Sequence, residues 1–355
     1  MEALPSLPDD AKSVEEQPNG HEDAGDGVFK PIAELSRGYW SPRILLTAVE
    51  LDLFTALGSD SLSSRQLADR VGADERGIDL LAKALVAIGL LDLDEGRFVS
   101  TAAARRHLDT TSPGDRSAVV RLANWWWKEW SNLTAIVREG ASAGGRGPTE
   151  EIIEDFTLAM HQGKLEVGKL LVERLDLHGV KRIIDIGGGA GTFTEALAMA
   201  LPDAQVVLVD RPEVLTVARR RLPAELIEER VVLVARDFNA EGIPLAGSPP
   251  GGYDLALLSS LLHLQGPEEN ASLLSRVHDV LEPGGQVAIR EFLVDESGTR
   301  PTEAALFAIA MLVTSERGRC YSLEEIKAWL HAAGFGEVNG QELDTPATLI
   351  TARRA

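Results

Sequence analysis

The amino-acid sequence predicts an α/β protein: a doubly wound sheet domain preceded by a mostly α-helical domain with a two-stranded wing. Three observations predict this. From Arg182 onward, short apolar runs of strand character alternate with helical segments, the pattern of a parallel sheet with right-handed crossovers. The stretch Arg182 to Thr192, R-I-I-D-I-G-G-G-A-G-T, leads an apolar strand through glycines into a helix. From Phe29 to about Leu108 the apolar period is helical, broken only by Leu90–Leu93 and Arg97–Val99 around Asp94-Glu95-Gly96. The sheet half is therefore read as Rossmann-like, with a ligand expected at the carboxyl ends of its strands.

The chain has 355 residues, enough for two or three domains. The first 27 residues hold eight acids, one lysine and three prolines with little aliphatic content, so residues 1–28 are expected to be a disordered tail. Ser41 to Leu57 reads as one helix with Pro42 in its first turn. Ser63 caps a helix to Val71, Gly72 ends it, and Asp74 caps a second reaching Ile88. With the wing, these segments make a winged helix over 29–115. A DNA-binding regulator would need basic side chains on the second helix, where Asp74, Glu75 and Asp79 instead offset Arg76 and Lys83. The formal charge of −20 points the same way, because nucleic-acid affinity comes largely from neutralised phosphates. A helical dimerisation domain is the alternative reading.

Thr101 to Leu108 is a short helix. Connecting helices are expected over 116–175: Ser117 to Glu139, a linker at Ala141–Pro148, then Thr149 to Leu175. Trp125, Trp126, Trp127 and Trp130 wrap more than half of the first of these, so most are packing residues. The sheet domain occupies 176–355. Its further strands are expected at Gln205–Asp210, Arg230–Ala235, Tyr253–Ser259, Gln286–Val294, 336–342 and 347–352.

The glycine run carries the chemistry. Glycine permits the tight turn and the close approach of a ligand, and the helix N-terminus beyond it favours an anionic group. The dinucleotide pattern places its third glycine where this chain has Thr192. Here Asp185 precedes alternating Gly187, Gly189 and Gly191, and the second strand ends in Asp210, 23 residues after Gly187. A carboxylate there accepts the two hydroxyls of a ribose. The single cysteine, Cys320, excludes an intramolecular disulfide. No signal peptide or membrane-length apolar run is visible, so a cytoplasmic location is expected. The seven histidines stand apart, without carboxylates in ligand spacing, so no metal site is expected. His107, His178, His278 and His331 read as surface residues.

The segments I-I-D-I-G-G-G-A-G-T-F, L-V-D-R-P-E-V-L, R-D-F, S-S-L-L-H, L-E-P-G-G and A-A-G-F together resemble a known family. From about Phe29 to the C-terminus the chain is similar to class I S-adenosylmethionine-dependent O-methyltransferases with an N-terminal winged-helix dimerisation domain. These include plant phenylpropanoid and flavonoid enzymes and bacterial polyketide-tailoring relatives. The resemblance implies S-adenosylmethionine as cofactor, a homodimer, and a small, hydroxylated, aromatic natural product as acceptor. It implies that Gly187 and Gly189 bound the cofactor, Asp210 holds its ribose, and Asp237 and Phe238 contact its adenine. His161 and Ser259 would lie near the methionine end, and Phe156, Met160, Phe307 and Met311 would line the acceptor pocket. His263 matches the histidine that removes the acceptor proton, and Glu291 the acid that orients it. The chain departs from the family pattern at Leu264, Cys320 and Arg236. C-methylation, a non-methylating relative, and transfer by proximity without a base are the alternatives within the fold.

Overall fold

A mixed seven-stranded sheet with helices on both faces carries the C-terminal half. The computed structural model describes residues 26–140, 149, 152–164, 166–238, 243, 252–344 and 346–355. The linker expected at Ala141–Pro148 and the tail before Asp26 lie outside the described residues. The chain divides into a unit ending at Ile44 and a unit from Leu45 to Ala355. Within the first lie α1 (Asp26–Arg37) and the start of α2 (Trp40–Glu50). The helix therefore begins inside the segment 1–28 that composition marks as a tail.

In the second unit, α3 (Leu53–Leu57), α4 (Ser64–Val71) and α5 (Glu75–Ala87) precede the wing, β1 (Leu91–Asp94) paired antiparallel with β2 (Arg97–Ser100), and α6 (Ala102–Leu108) follows. Their inward residues, among them Phe54, Leu57, Leu67, Ile78, Leu85, Leu91 and Phe98, are buried. Burying each of these side chains fully stabilises by roughly 1.5–3 kcal/mol. The caps form as expected: Ser63 and Gln66 make a capping box, and Asp74 accepts from the Gly77 N–H at 2.8 Å. A cap of this kind is worth about 1 kcal/mol.

Three expected helices are each two. Ser41–Leu57 breaks at Asp52, whose φ of 50° is left-handed, which releases Leu53 and Phe54 into the core. The segment 117–139 divides into α7 (Ser117–Trp130) and α8 (Leu133–Glu139). The segment 149–175 divides into α9 (Ile153–Gln162) and α10 (Val167–Arg174), with Gly163 and Lys164 at the break. Glycine weakens a helix interior, and its position here is the local reason for the second start.

The sheet region runs β3 (Arg182–Ile186), α11 (Thr192–Ala200), β4 (Gln205–Asp210), α12 (Pro212–Arg221), α13 (Ala224–Glu229), β5 (Val231–Ala235) and β6 (Tyr253–Ser259). It continues with a short 3-10 turn at Leu262–Leu264, α14 (Pro267–Val280), β7 (Leu281–Phe292), α15 (Thr302–Thr314), α16 (Leu323–Ala332), β8 (Phe335–Asp344) and β9 (Ala347–Arg354). The strand order is β5-β4-β3-β6-β7-β9-β8. The first five strands are parallel, as expected, whereas β9 inserts antiparallel between β7 and β8. Strand alternation alone does not fix such an order; the tight link between β8 and β9 makes them an antiparallel pair. Along β6, Leu255 and Leu257 face one core while Ala256 and Leu258 face the other. The period of two, with apolar residues on both sides, is what a sheet covered by helices on both faces requires. Because β3 sits between β4 and β6, its carboxyl end opens at the centre of the sheet edge.

Candidate active site

The loop after β3 turns on three glycines in the left-handed region: Gly187, Gly189 and Gly191 have φ of 69°, 60° and 77°. Gly188 is held to its residue type by packing, since a Cβ there would lie 2.8 Å from the Asp185 carboxyl carbon and 2.9 Å from Leu208 Cγ. Gly187 is bounded by Leu261 and Phe238, which a Cβ would meet at 3.2 and 3.7 Å. A Cβ on Gly189, in contrast, would meet nothing within 4 Å. Gly189 therefore faces open space, and its N–H donates to Asp210 Oδ2 at 2.9 Å. The other Asp210 oxygen accepts from the Arg211 N–H at 2.8 Å. Burial pushes the Asp210 pKa up, against these two backbone N–H groups, which pull it down. A carboxylate at the end of β4 is thus fixed in orientation beside an open glycine.

Asp185, fully buried, accepts from Thr194 Oγ1 at 2.6 Å, and burial raises its pKa to about 6. Its other oxygen, and Ser259 Oγ at the end of β6, are buried without a hydrogen-bond partner among the described residues. These unpaired oxygens, the space beside Gly189 and the anchored Asp210 carboxylate fit a ligand with an adenosyl ribose and an amino-acid tail. His161 and Thr192, the first residue of α11, lie 2.9 Å apart through Nδ1 and Oγ1. Burial and the Arg221 charge lower the His161 pKa to about 4, so this imidazole is neutral. Phe238 is buried beside the loop and Asp237 is exposed.

The second half of the site is a buried pair. His263 and Glu291 are almost completely inaccessible, and Nδ1 of the histidine stands 2.5 Å from Glu291 Oε1. Glu291 accepts three further bonds, from the N–H groups of Leu262 at 3.0 Å, His263 at 3.3 Å and Phe292 at 2.8 Å. Burial alone would raise its pKa; the His263 charge and these hydrogen bonds outweigh burial and hold it below the ordinary value. Two rings enclose the imidazole: Phe307 edge-on at 5.0 Å and Phe292 at 6.0 Å between centroids. The Glu291–Nδ1 contact orients the ring and turns Nε2 away from the carboxylate.

Of the expected pocket residues, Phe307 touches this pair. Met311 is buried on α15. Phe156 packs against a small cluster of Ala118, Leu122 and Ala159 with Trp125 and Trp126. Met160 is 37% exposed. His107 and His278 are partly buried rather than surface residues, His107 Nδ1 meeting the Gly114 carbonyl at 3.0 Å and His278 lying edge-on to Phe335. Cys320 donates to the Ala304 carbonyl, and burial raises its pKa to about 12, so it is no nucleophile.

Residue patterns missed one cluster altogether. Lys164 Nζ donates to Ser260 Oγ at 3.0 Å, and Arg290 donates to the same oxygen at 2.9 Å. Arg290, directly before Glu291, also grips Asp344 with two bonds of 2.9 and 2.5 Å. An arginine inside an otherwise apolar strand was the one signal available. A cavity of about 210 Å³ lies at the opposite ends of the strands, lined by Asp176, Asp254, Glu282 and Arg353 among others. Its charges are already paired with each other or with Arg182, and the loop faces away from it. Among the described residues no group of His, Cys, Asp or Glu is placed to hold a metal ion, and no helix is long and apolar enough to cross a membrane.

Comparison with known proteins agrees with this geometry. The model of the O-methyltransferase domain matches residues 130–336, and that of the O-methyltransferase dimerisation domain matches residues 33–110. The 3-hydroxy-5-methyl-1-naphthoate 3-O-methyltransferase of Streptomyces sahachiroi is 32% identical over 89% of this chain and 92% of its own. The tetracenomycin polyketide synthesis 8-O-methyl transferase of Streptomyces glaucescens is 31% identical over 91% of this chain and 96% of its own. In fold, the chain is similar to human N-acetylserotonin methyltransferase, crystallised in complex with S-adenosylmethionine: the TM-score is 0.80 at 23% identity, covering 95% of this chain and 99% of that one. The chain belongs to the O-methyltransferase family and carries its dimerisation and methyltransferase domains.

Proposed function

We propose that the protein methylates a hydroxyl of a small aromatic natural product, with His263 as the base. The observation that carries this reading is the buried Nδ1–Oε1 contact of 2.5 Å between His263 and Glu291, enclosed by Phe292 and Phe307. Bound S-adenosylmethionine supplies an electrophilic methyl on its sulfonium. Phenol hydroxyls, with pKa about 10, are mostly protonated at neutral pH, whereas an imidazole near 6.5 is a competent acceptor. Glu291 holds the ring and stabilises the imidazolium formed when Nε2 takes the phenol proton. A positioned base contributes roughly 10²–10⁴-fold to rate. The two phenylalanine rings favour an aromatic acceptor by edge-to-face contact.

In this reading Gly187 and Gly189 bound the cofactor and Asp210 takes its ribose. Asp237 and Phe238 flank its adenine, and Ser259 and His161 lie towards its methionine end. Phe307 and Met311 on α15, with Phe156 and Met160 on α9, wall the acceptor pocket. We divide the chain into a dimerisation domain at 29–115, connecting helices at 116–175 and the methyltransferase domain at 176–355. The winged helix joins two copies of the chain and does not read DNA: on α5, Lys83 is engaged by Asp79 at 2.8 Å. One relative is named for 3-hydroxy-5-methyl-1-naphthoate and another for tetracenomycin polyketide synthesis, and we assign this chain a hydroxylated aromatic acceptor of that kind. The test is a mass-shift screen of hydroxynaphthoates and hydroxylated polyketide aromatics with S-adenosylmethionine. Gain of one methyl on a phenolic oxygen supports the reading; gain on carbon, or no aromatic acceptor at all, contradicts it.

A further inference from the structure

Lys164 brings a positive charge into the site without a counter-charge. Its Nζ donates to Ser260 Oγ at 3.0 Å and lies 6.0 Å from the Phe193 ring on α11. Among the described residues no carboxylate stands within ion-pair distance of it. The neighbouring cation, Arg290, differs in this respect. It is 3% exposed, is neutralised by both oxygens of Asp344, and spends its remaining bond on the same Ser260 oxygen. Two cations thus converge on one hydroxyl, and only one has its anion. Ser260 is itself held in a left-handed conformation, φ 58°, with its N–H bonded to the Arg290 carbonyl at 2.8 Å. The oxygen that receives Lys164 is therefore positioned by backbone as well as by Arg290.

The placement is functional in character. Three residues before Lys164, His161 touches Thr192 at the start of α11; Ser260 follows Ser259, whose Oγ is a buried, unpartnered group. Burial, then the Arg290 charge, lower the lysine pKa to about 7, while Glu291, Asp344 and Asp185 act against them from a distance. A part-buried ammonium beside a second cation is costly unless an anion joins it.

We propose that Lys164 binds a carboxylate carried by a ligand of this site. That carboxylate belongs either to the aminoacyl tail of the cofactor or to an acidic acceptor. This rests on the reading that the loop at Gly187–Gly191 holds S-adenosylmethionine. The variants are Lys164→Gln, which keeps a bond to Ser260 without the charge, and Lys164→Arg, which keeps the charge. Calorimetry is run with S-adenosylhomocysteine and with methylthioadenosine, which has the adenosyl group but no carboxylate. Steady-state KM is compared for a hydroxynaphthoate and the corresponding naphthol. If the cofactor tail is the ligand, Lys164→Gln weakens S-adenosylhomocysteine about tenfold or more and leaves methylthioadenosine unchanged, because a charged pair is lost. If the acceptor is the ligand, both nucleosides bind as in wild type and KM rises about tenfold for the naphthoate but not for the naphthol. In either case Lys164→Arg recovers most of the loss. Equal behaviour of Lys164→Gln and wild type in every arm overturns the proposal. Failure of the wild-type protein to bind either nucleoside overturns the underlying reading instead.

Discussion

Glu291→Gln preserves the volume of the side chain while changing its hydrogen-bonding sense. The carboxylate accepts four bonds, from three backbone N–H groups and from His263 Nδ1. A carboxamide offers one oxygen and two donors; with its NH2 toward Nδ1 it keeps the bonds from the Leu262 and His263 N–H groups and leaves the Phe292 N–H without an acceptor. An orphaned buried donor costs about 1–3 kcal/mol, so the variant is expected to lose about 1–3 kcal/mol of stability and a few degrees of melting temperature. The pH dependence follows from the lowered pKa of Glu291. Its contribution is complete above the ordinary value of 4.5 and fades as pH falls through the lower folded-state value, so the gap between wild type and variant closes in acid. For chemistry, an amide N–H turned toward Nδ1 reverses the imidazole tautomer and removes the acceptor at Nε2. Turnover is expected to fall roughly 10²-fold, with S-adenosylhomocysteine affinity within about twofold of wild type. Because the two residues act as one unit, the double variant His263→Ala with Glu291→Gln should turn over like His263→Ala alone. Single-turnover methyl transfer, calorimetry and thermal melts read all three quantities. Turnover within about threefold of wild type in a folded Glu291→Gln protein would refute the base–orienter argument.

Two further expectations concern the loop. Gly189→Ala costs only about 1–2 kcal/mol of backbone strain, because its Cβ meets no protein atom, yet it should weaken S-adenosylhomocysteine strongly; Gly188→Ala should cost stability through its clash with Asp185 and Leu208. Denaturation and calorimetry on both variants check this, and a Gly189→Ala protein with unchanged affinity would mean the open space is not the ligand's. Thr194→Val removes the bond that favours ionised Asp185. The raised pKa means Asp185 stabilises the fold most when protonated, below 3.8, and that contribution is lost as pH rises through about 6. The Thr194→Val loss should therefore be about 1–3 kcal/mol on the alkaline side of that value and smaller on the acid side, measured by urea denaturation. An equal loss on both sides would show that Asp185 is ionised throughout.

Residues close in sequence were the ones whose roles could be read. The glycine loop, the terminal acid of β4 and the capped helices of the winged region each announce themselves within a few positions, because turn sterics and capping are local. His263 and Glu291, 28 residues apart, were reachable only through family resemblance; the structure supplies their contact. The cluster of Lys164, Ser260, Arg290 and Asp344 comes from four elements with no shared spacing, so no local pattern reveals it. The break at Asp52 was equally hidden, since the left-handed turn there uses neither glycine nor proline and is driven by burial of Leu53 and Phe54. Gly163, by contrast, was a visible reason to divide α9 from α10. The antiparallel insertion of β9 is a matter of strand order, which hydrophobic alternation does not encode.

The role of His263 is tested most directly by the rate of methyl transfer to a phenolic acceptor as a function of pH, in wild type and in His263→Ala. A base is needed only while the phenol holds its proton. The deficit of the variant should be roughly 10²–10⁴-fold near neutrality and should shrink steadily as pH approaches the phenol pKa of about 10. Parallel profiles, with the variant as fast as wild type at neutral pH, would show that alignment alone drives the transfer and that the buried pair serves only the fold.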